Sequence, residues 1–394
     1  MAIKFIDDID VRGKRVFVRA DFNVPLDEKQ NITNDNRIRA TLPTLKYVLD
    51  NGGAVIAASH LGRPKGKPVA EMSLKPVAAR LGELLGVPVK FADDCISDAA
   101  IEQGRTLKPG EVLLLENLRF YAQEEKNDAA FAARLGAAAE VFISDAFAVS
   151  HRAHASVEAI TRVVPVCAAG FLMKKEIQAF ESAMSNPKRP LAAVVGGAKV
   201  SGKLEVLENL IQKVDMILIG GGMMFTFLKA QGKEVGKSLV EEDLIDTAAK
   251  ILRKAADRGV QLLLPSDCVV AGEFKGGIPT RTVSVDAISA DQMGLDIGPA
   301  TVAAFSKALA GAGTIVWNGP MGVFEIEEYS KGTFAIADAI AQSKAMSVVG
   351  GGDSVSALKK SGNQDKVGFV STAGGAFMEM MEGKVLPGIA ALDK

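Results

Sequence analysis

The chain has 394 residues, 48% of them hydrophobic and 24% charged, with a formal net charge of −1. That length sets an expectation of two domains with ample core, and the even charge balance excludes a global attraction to nucleic acid or to an anionic membrane. One Trp and three Tyr leave little aromatic surface for stacking bases, and three widely spaced cysteines (Cys95, Cys167, Cys268) argue against a disulfide or zinc framework.

The amino-terminal Met1-Ala-Ile-Lys-Phe-Ile-Asp-Asp8 has acids where a signal peptide needs apolar length, and no apolar run is long enough to span a bilayer. The expectation is a cytoplasmic protein, in which the Asn31-Ile-Thr33 sequon stays unglycosylated. Short β-rich runs then alternate with amphipathic segments, the pattern of parallel α/β architecture. In the first half, strands are predicted near Val16–Arg19, Ala54–Ser59, Val87–Phe91, Val112–Leu115 and Val141–Ser144. Arg37 opens a helix with Ile38, Leu42, Leu45, Val48 and Leu49 on one face, stopped by Asn51-Gly-Gly53. Basic and polar residues recur just past the strand ends. They are Arg19-Ala-Asp21-Phe-Asn23, Ser59-His60-Leu-Gly-Arg63, Glu116-Asn-Leu-Arg119 and Asp145 through His151-Arg152-Ala-His154. In a doubly wound sheet these ends share one edge. Arginines and histidines gathered there suit a small, highly charged anion, because arginine grips phosphate or carboxylate with paired donors. His151 and His154 lack a third ligand at metal-binding spacing.

A helix over Met173–Met184, ended by Ser185-Asn-Pro-Lys-Arg-Pro190, is the expected junction between domains. Beyond it, strands are predicted near Ala192–Val195, Met216–Ile219, Gln261–Leu264, Thr314–Trp317, Met346–Val349 and Gly368–Ser371. Three run directly into glycines, at Gly196-Gly197, Gly220-Gly-Gly222 and Gly350-Gly-Gly352. Gly196-Gly-Ala-Lys199-Val-Ser-Gly-Lys203-Leu204 approaches the P-loop pattern, but Leu204 stands where the magnesium-binding Ser or Thr belongs. Lys199 and Lys203 are expected on one face of a helix start, within reach of phosphate. Neither triple-glycine turn completes a dinucleotide fingerprint, which counts against a nicotinamide enzyme. Gly350-Gly-Gly-Asp353-Ser354 leads from a strand into a helix. Its glycines permit close backbone approach to a phosphate, and a carboxylate at that place implies Mg²⁺ between them. Glu325, past the strand ending at Trp317, is placed to accept from ribose hydroxyls. No nucleophilic triad and no close carboxylate pair emerges. A carboxylate that accepts phosphate is already ionised at neutral pH and needs no general base, so charge stabilisation is the remaining task.

Together these segments resemble the phosphoglycerate kinase family, and the likeness spans nearly the whole chain. It rests on Arg19-Ala-Asp-Phe-Asn-Val-Pro25, Ser59-His-Leu-Gly-Arg-Pro64, Glu116-Asn-Leu-Arg-Phe120, His151-Arg-Ala-His154, Gly196-Gly-Ala-Lys-Val200, Trp317-Asn-Gly-Pro320 and Gly350-Gly-Gly-Asp-Ser354. The resemblance implies two Rossmann-like parallel-sheet domains joined by a hinge helix. It places an N-terminal phosphoglycerate-binding domain at 1–172, the hinge helix at 173–185 and a nucleotide-binding domain at 186–375, with a tail over 376–394 returning to the first. It implies a monomer that transfers phosphate reversibly between 1,3-bisphosphoglycerate and ADP, with Mg²⁺, by closing its domains. By the same resemblance Asp21, Asn23, Arg37, His60, Arg63, Arg119 and Arg152 hold the phosphoglycerate. Lys203, Gly294, Glu325, Gly351, Gly352, Asp353 and Ser354 hold the nucleotide, Asp353 the metal, and Arg37 and Lys199 the transferring phosphoryl. Ala20, the Ala148–Ser150 loop and Ala373 depart from the family pattern without removing a ligand. The rivals, a fold kept without catalysis or a kinase for another acyl phosphate, lose ground because Arg37, Lys199, Asp353 and the basic cluster are all present.

Overall fold

The computed structural model describes residues 3–393. It divides into two compact units, one of 1–177 with 385–394 and one of 178–384.

The first unit carries β1 (Arg15–Ala20), β2 (Ala54–Ala58), β3 (Val89–Ala92), β4 (Val112–Leu115), β5 (Val141–Asp145) and β6 (Val166–Ala169). They form one parallel sheet in the order β3-β4-β2-β1-β5-β6. β2, β4 and β5 are buried along their whole length, so they read as largely apolar runs rather than alternating ones. β3 begins at Val89, two residues after the predicted start. Gly86, left-handed at φ 73°, caps the helix Lys75–Leu85 and leaves Val87 in the turn. β6 was not foreseen, since Val-Cys-Ala-Ala beside Pro165 is too short and too low in β-branched content to signal an edge strand. The segment from Val385 belongs to this unit: the Gly388 N–H donates to the Ser150 carbonyl at 2.8 Å, and Leu386, Ile389 and Leu392 are buried.

The second unit carries β7 (Leu191–Val195), β8 (Met216–Ile219), β9 (Gln261–Leu263), β10 (Asp267–Ala271), β11 (Arg281–Ser284), β12 (Met293–Ile297), β13 (Thr314–Asn318), β14 (Met346–Val349) and β15 (Phe369–Val370). Six form a parallel sheet in the order β15-β14-β13-β7-β8-β9. β10, β11 and β12 make a separate three-stranded antiparallel sheet that the sequence reading lacked. β11 is mostly exposed and polar, so its pattern gave no strand signal. Phe377 and Met381, on the helix Gly374–Met381, lie in this unit's core. The returning segment therefore starts at Val385 and not at residue 376. The chain passes between the units within the helix Phe171–Met184.

Candidate active site

In each sheet the strand order reverses about a central strand. β1 lies between β2 and β5, and β7 lies between β8 and β13. Loops leaving the carboxyl ends of strands at such a reversal splay to either side and leave a crevice for a ligand. Nearly every residue singled out from the sequence sits on a loop or helix start that follows one of these strands.

In the first unit, Asp21 receives the Arg37 guanidinium at 2.7 Å, and Asn23 Oδ1 accepts the Gly62 N–H at 2.9 Å. That tie joins the loop after β1 to the loop after β2. Arg119, buried after β4, donates to the Gly62 carbonyl at 3.1 Å, while its Nε finds no hydrogen-bond acceptor. Arg63 is exposed, and Arg152, half-buried, donates from Nε to His151 Nε2 at 3.2 Å. His60 is 4% exposed and its pKa is driven well below the usual histidine range, first by burial and then by Arg19, Arg119, Arg37 and His154. His154 falls to about 3, again through burial first and then Arg119, Arg19 and Arg152. Arg119 is itself pulled down to about 10, by burial and then by the nearby Arg19. Like charges thus depress one another here, and an anion placed among them would relieve that repulsion.

In the second unit two cavities adjoin. One, of about 470 Å³, has apolar walls from Phe225, Leu239, Phe274 and Met321, with Gly294 and Glu325 in its lining. The other, of about 340 Å³, is lined by Lys203, Asn318, Gly351, Gly352, Asp353 and Ser354. Asp353 borders both. Glycine is required where the backbones meet: a Cβ on Gly196 would overlap the Pro320 carbonyl, and one on Gly319 would overlap Gly196. Gly351, at φ 96°, holds the turn into the helix Gly352–Lys360. Ser354 accepts the Gly319 N–H at 2.6 Å and so shapes the loop after β13. Lys203 donates to Asn318 Oδ1 and lies 3.2 Å from Met378 Sδ. Burial lowers its pKa to about 8, against the pull of Asp353 and Glu382.

The expected helix face carrying both lysines does not form. The helix begins at Leu204, with Lys203 as its N-cap, while Lys199 lies in irregular chain ahead of the turn at Ser201-Gly202, which interrupts the helical path. Lys199 is exposed, near the Glu241 carboxylate, and lines neither cavity. Sequence reasoning missed the cavity's apolar walls, which come from four separate segments. It gave Asn318 no role beyond the Trp317-Asn-Gly-Pro320 string, although its place at the carboxyl end of β13 was the available signal.

Asp353 stands in the first turn of its helix, exposed, beside Lys203 and the glycines. Among the described residues no group of three His, Cys, Asp or Glu could hold a metal ion. One carboxylate beside an N–H-rich helix start fits a hard cation that takes most of its remaining ligands from nucleotide phosphates and water.

A family model described as phosphoglycerate kinase matches residues 6–384. The chain belongs to the phosphoglycerate kinase family. It is 58% identical to the phosphoglycerate kinase of Geotalea daltonii over 396 residues, covering 100% of this chain and 99% of that protein. It is also 58% identical to the phosphoglycerate kinase of Geobacter metallireducens, with the same coverage. Its fold matches the structure of the phosphoglycerate kinase from Coxiella burnetii with a TM-score of 0.95 at 44% identity, covering 99% of each chain. The Pyrococcus horikoshii phosphoglycerate kinase matches at 0.83 and 33% identity, covering 99% of this chain and 98% of that one. The chain is thus a kinase, a transferase of glycolysis. Two of its departures from the family pattern fit locally. Ala373 has φ −133°, which any residue adopts. Ser150 closes the short turn Phe147–Val149 through its own hydroxyl, at 2.7 Å from the Phe147 carbonyl.

Proposed function

We propose that the chain catalyses reversible, magnesium-dependent phosphoryl transfer between 1,3-bisphosphoglycerate and ADP, giving 3-phosphoglycerate and ATP, as a cytoplasmic monomer in glycolysis and gluconeogenesis. The observation that carries this reading is the pairing of chemistries. A cationic loop edge in one unit suits a phosphate-bearing acid, and an apolar cavity running into a glycine-lined one in the other suits a nucleotide. Asp21, Asn23, Arg37, His60, Arg63, Arg119 and Arg152 bind the phosphoglycerate. The base enters the larger cavity against Gly294, with Glu325 toward the ribose. Lys203, Ser354 and the N–H groups at Gly351 and Gly352 take the phosphates. Asp353 would hold Mg²⁺, whose charge offsets that of the nucleotide phosphates.

The acceptor carboxylate is ionised at neutral pH, so the protein moves no proton to activate it. Its work is alignment and charge stabilisation, with Arg37 and Lys199 on the transferring phosphoryl. The exposure of Lys199 fits a group recruited on closure of the two units, which would also shut out water able to hydrolyse the acyl phosphate.

The test is a coupled assay with 3-phosphoglycerate, MgATP, glyceraldehyde-phosphate dehydrogenase and NADH. NADH loss that depends on protein and magnesium is the expected result. Folded, nucleotide-binding protein without activity would overturn the reading.

A further inference from the structure

A continuous buried hydrogen-bond chain underlies the basic edge of the first unit. Glu124 is fully buried, and its carboxylate accepts from the Ser156 N–H at 2.9 Å and from the Ser156 hydroxyl at 2.5 Å. With its proton committed to Glu124, the Ser156 oxygen accepts from Arg19 Nε at 2.8 Å. Arg19 is also fully buried. It donates to the Ala20 carbonyl, and its remaining terminal nitrogen lies 3.3 Å from Nδ1 of His60. A guanidinium has donors only and keeps its proton. The contact can therefore form only if Nδ1 offers its lone pair, which leaves the ring proton on Nε2. Among the described residues Nε2 has no hydrogen-bond partner, and it is not sealed from solvent.

We propose that Arg19 is a positioning residue that holds His60 as the neutral Nε2–H tautomer, so that the ring offers a fixed N–H donor to the anionic substrate. Glu124 and Ser156 in turn hold Arg19. The charged and titratable groups facing His60 are Arg19 from β1, Arg119 after β4, Arg37 at the start of the helix Asn36–Asp50, and His154 after β5. All of them disfavour a second proton on the ring, as does its burial. The consequence is functional. Substrate binding would not lose a contributing charge as pH rises through the ordinary histidine range, and the donor direction is set before the ligand arrives. The inference rests on the reading of this edge as the site of a phosphate-bearing acid only for its consequence; the tautomer itself does not depend on it.

The chain has only three histidines, so a long-range proton–nitrogen NMR spectrum of the intact, unliganded protein can resolve His60. The expected result is a protonated Nε2 and an unprotonated Nδ1, unchanged between pH 5.5 and 8.5. An Nδ1–H tautomer, or a titration of His60 within that range, would overturn the proposal. Arg19→Met alone strands the buried Glu124 charge, so the informative variant is Arg19→Met combined with Glu124→Gln. There His60 should show mixed tautomers, while burial, Arg119 and Arg37 still keep the ring neutral. KM for 3-phosphoglycerate should rise about tenfold, the order of one hydrogen bond to a charged group, and by more than kcat falls. A purely structural Arg19 would leave the tautomer of His60 as in the parent, and that outcome also counts against the proposal. If the double variant does not fold, the spectrum of the parent decides. A wrong tautomer in an active kinase refutes only this inference, whereas a correct tautomer in an inactive protein refutes only the proposed function.

Discussion

Arg37 pairs with Asp21 while its own side chain stays 44% exposed. A pair so open to water contributes at most about 1 kcal/mol, so the guanidinium is readily turned to a passing phosphoryl group. Arg37→Ala is expected to cut turnover roughly 10²-fold or more, because the charge matters most in the transition state. Nucleotide affinity should hardly change, since the cavities that suit a nucleotide are lined by residues of the second unit alone. Steady-state kinetics with calorimetric titration separates the two, and near-normal turnover would remove Arg37 from that role. Lys203 invites a different measurement. Its pKa is lowered to about 8, and nucleotide phosphates would favour its cationic form and raise that value. Binding should therefore take up protons at pH 8.5 and few at pH 6.5. Calorimetry in two buffers of unlike ionisation enthalpy reads this directly, and Lys203→Met should abolish the uptake.

Helix starts carry the next level of control. Asp353 heads the helix Gly352–Lys360. Removing its carboxylate should weaken a magnesium–nucleotide complex much more than the metal-free nucleotide, since Mg²⁺ in such a site rests on one or two carboxylates and the substrate phosphates. Equal weakening of both would count against metal coordination. Asp145 plays a structural counterpart at the helix Phe171–Met184, accepting the Leu172 N–H at 2.9 Å and the Met173 N–H at 3.3 Å. Burial drives its pKa up to about 7, although Thr44 and the two N–H groups pull the other way. The folded chain then binds more protons than the unfolded one between about pH 4 and 7, so Asp145 costs stability as pH rises through that window. Asp145→Asn keeps an oxygen for the helix end and stays neutral. Relative to the parent it should gain on the order of a few kcal/mol on going from pH 5 to pH 8, measured by urea unfolding. A constant difference across pH would show that Asp145 does not titrate there.

At the scale of the whole molecule, chain order and spatial order part company at the carboxyl terminus. The last segment serves the first unit, with Leu386, Ile389 and Leu392 buried there and Gly388 bonded to Ser150. Burying three such side chains contributes of order 5 kcal/mol. A chain ending at Lys384 should therefore melt its first unit at a clearly lower temperature while the second keeps its transition. Differential scanning calorimetry checks this, and two unshifted transitions would contradict it.

Much of the site was legible because the signals are local. Strands running into Gly196, Gly220 and Gly350, polar residues directly after β1, and basic ones after β2 and β4, follow from backbone sterics and short-range periodicity. Parallel strands then carry those ends to one edge. The resemblance of seven short strings to one family named the chemistry. Other features depend on segments far apart in the chain, and no local pattern encodes them. Arg19 lies 137 positions from the Ser156 that holds it. Phe225, Leu239, Phe274 and Met321 reach one cavity only after the sheets have formed. The expected helical face of Lys199 and Lys203 failed because a turn intervened, and the returning segment begins at Val385 because Phe377 and Met381 pack into the core of the second unit. Composition and periodicity determined the class of fold and the kinds of groups at each strand end. Long-range packing chose which of those groups became buried, neutral or free to meet a ligand, because burial and charge depend on neighbours that only the folded chain brings together.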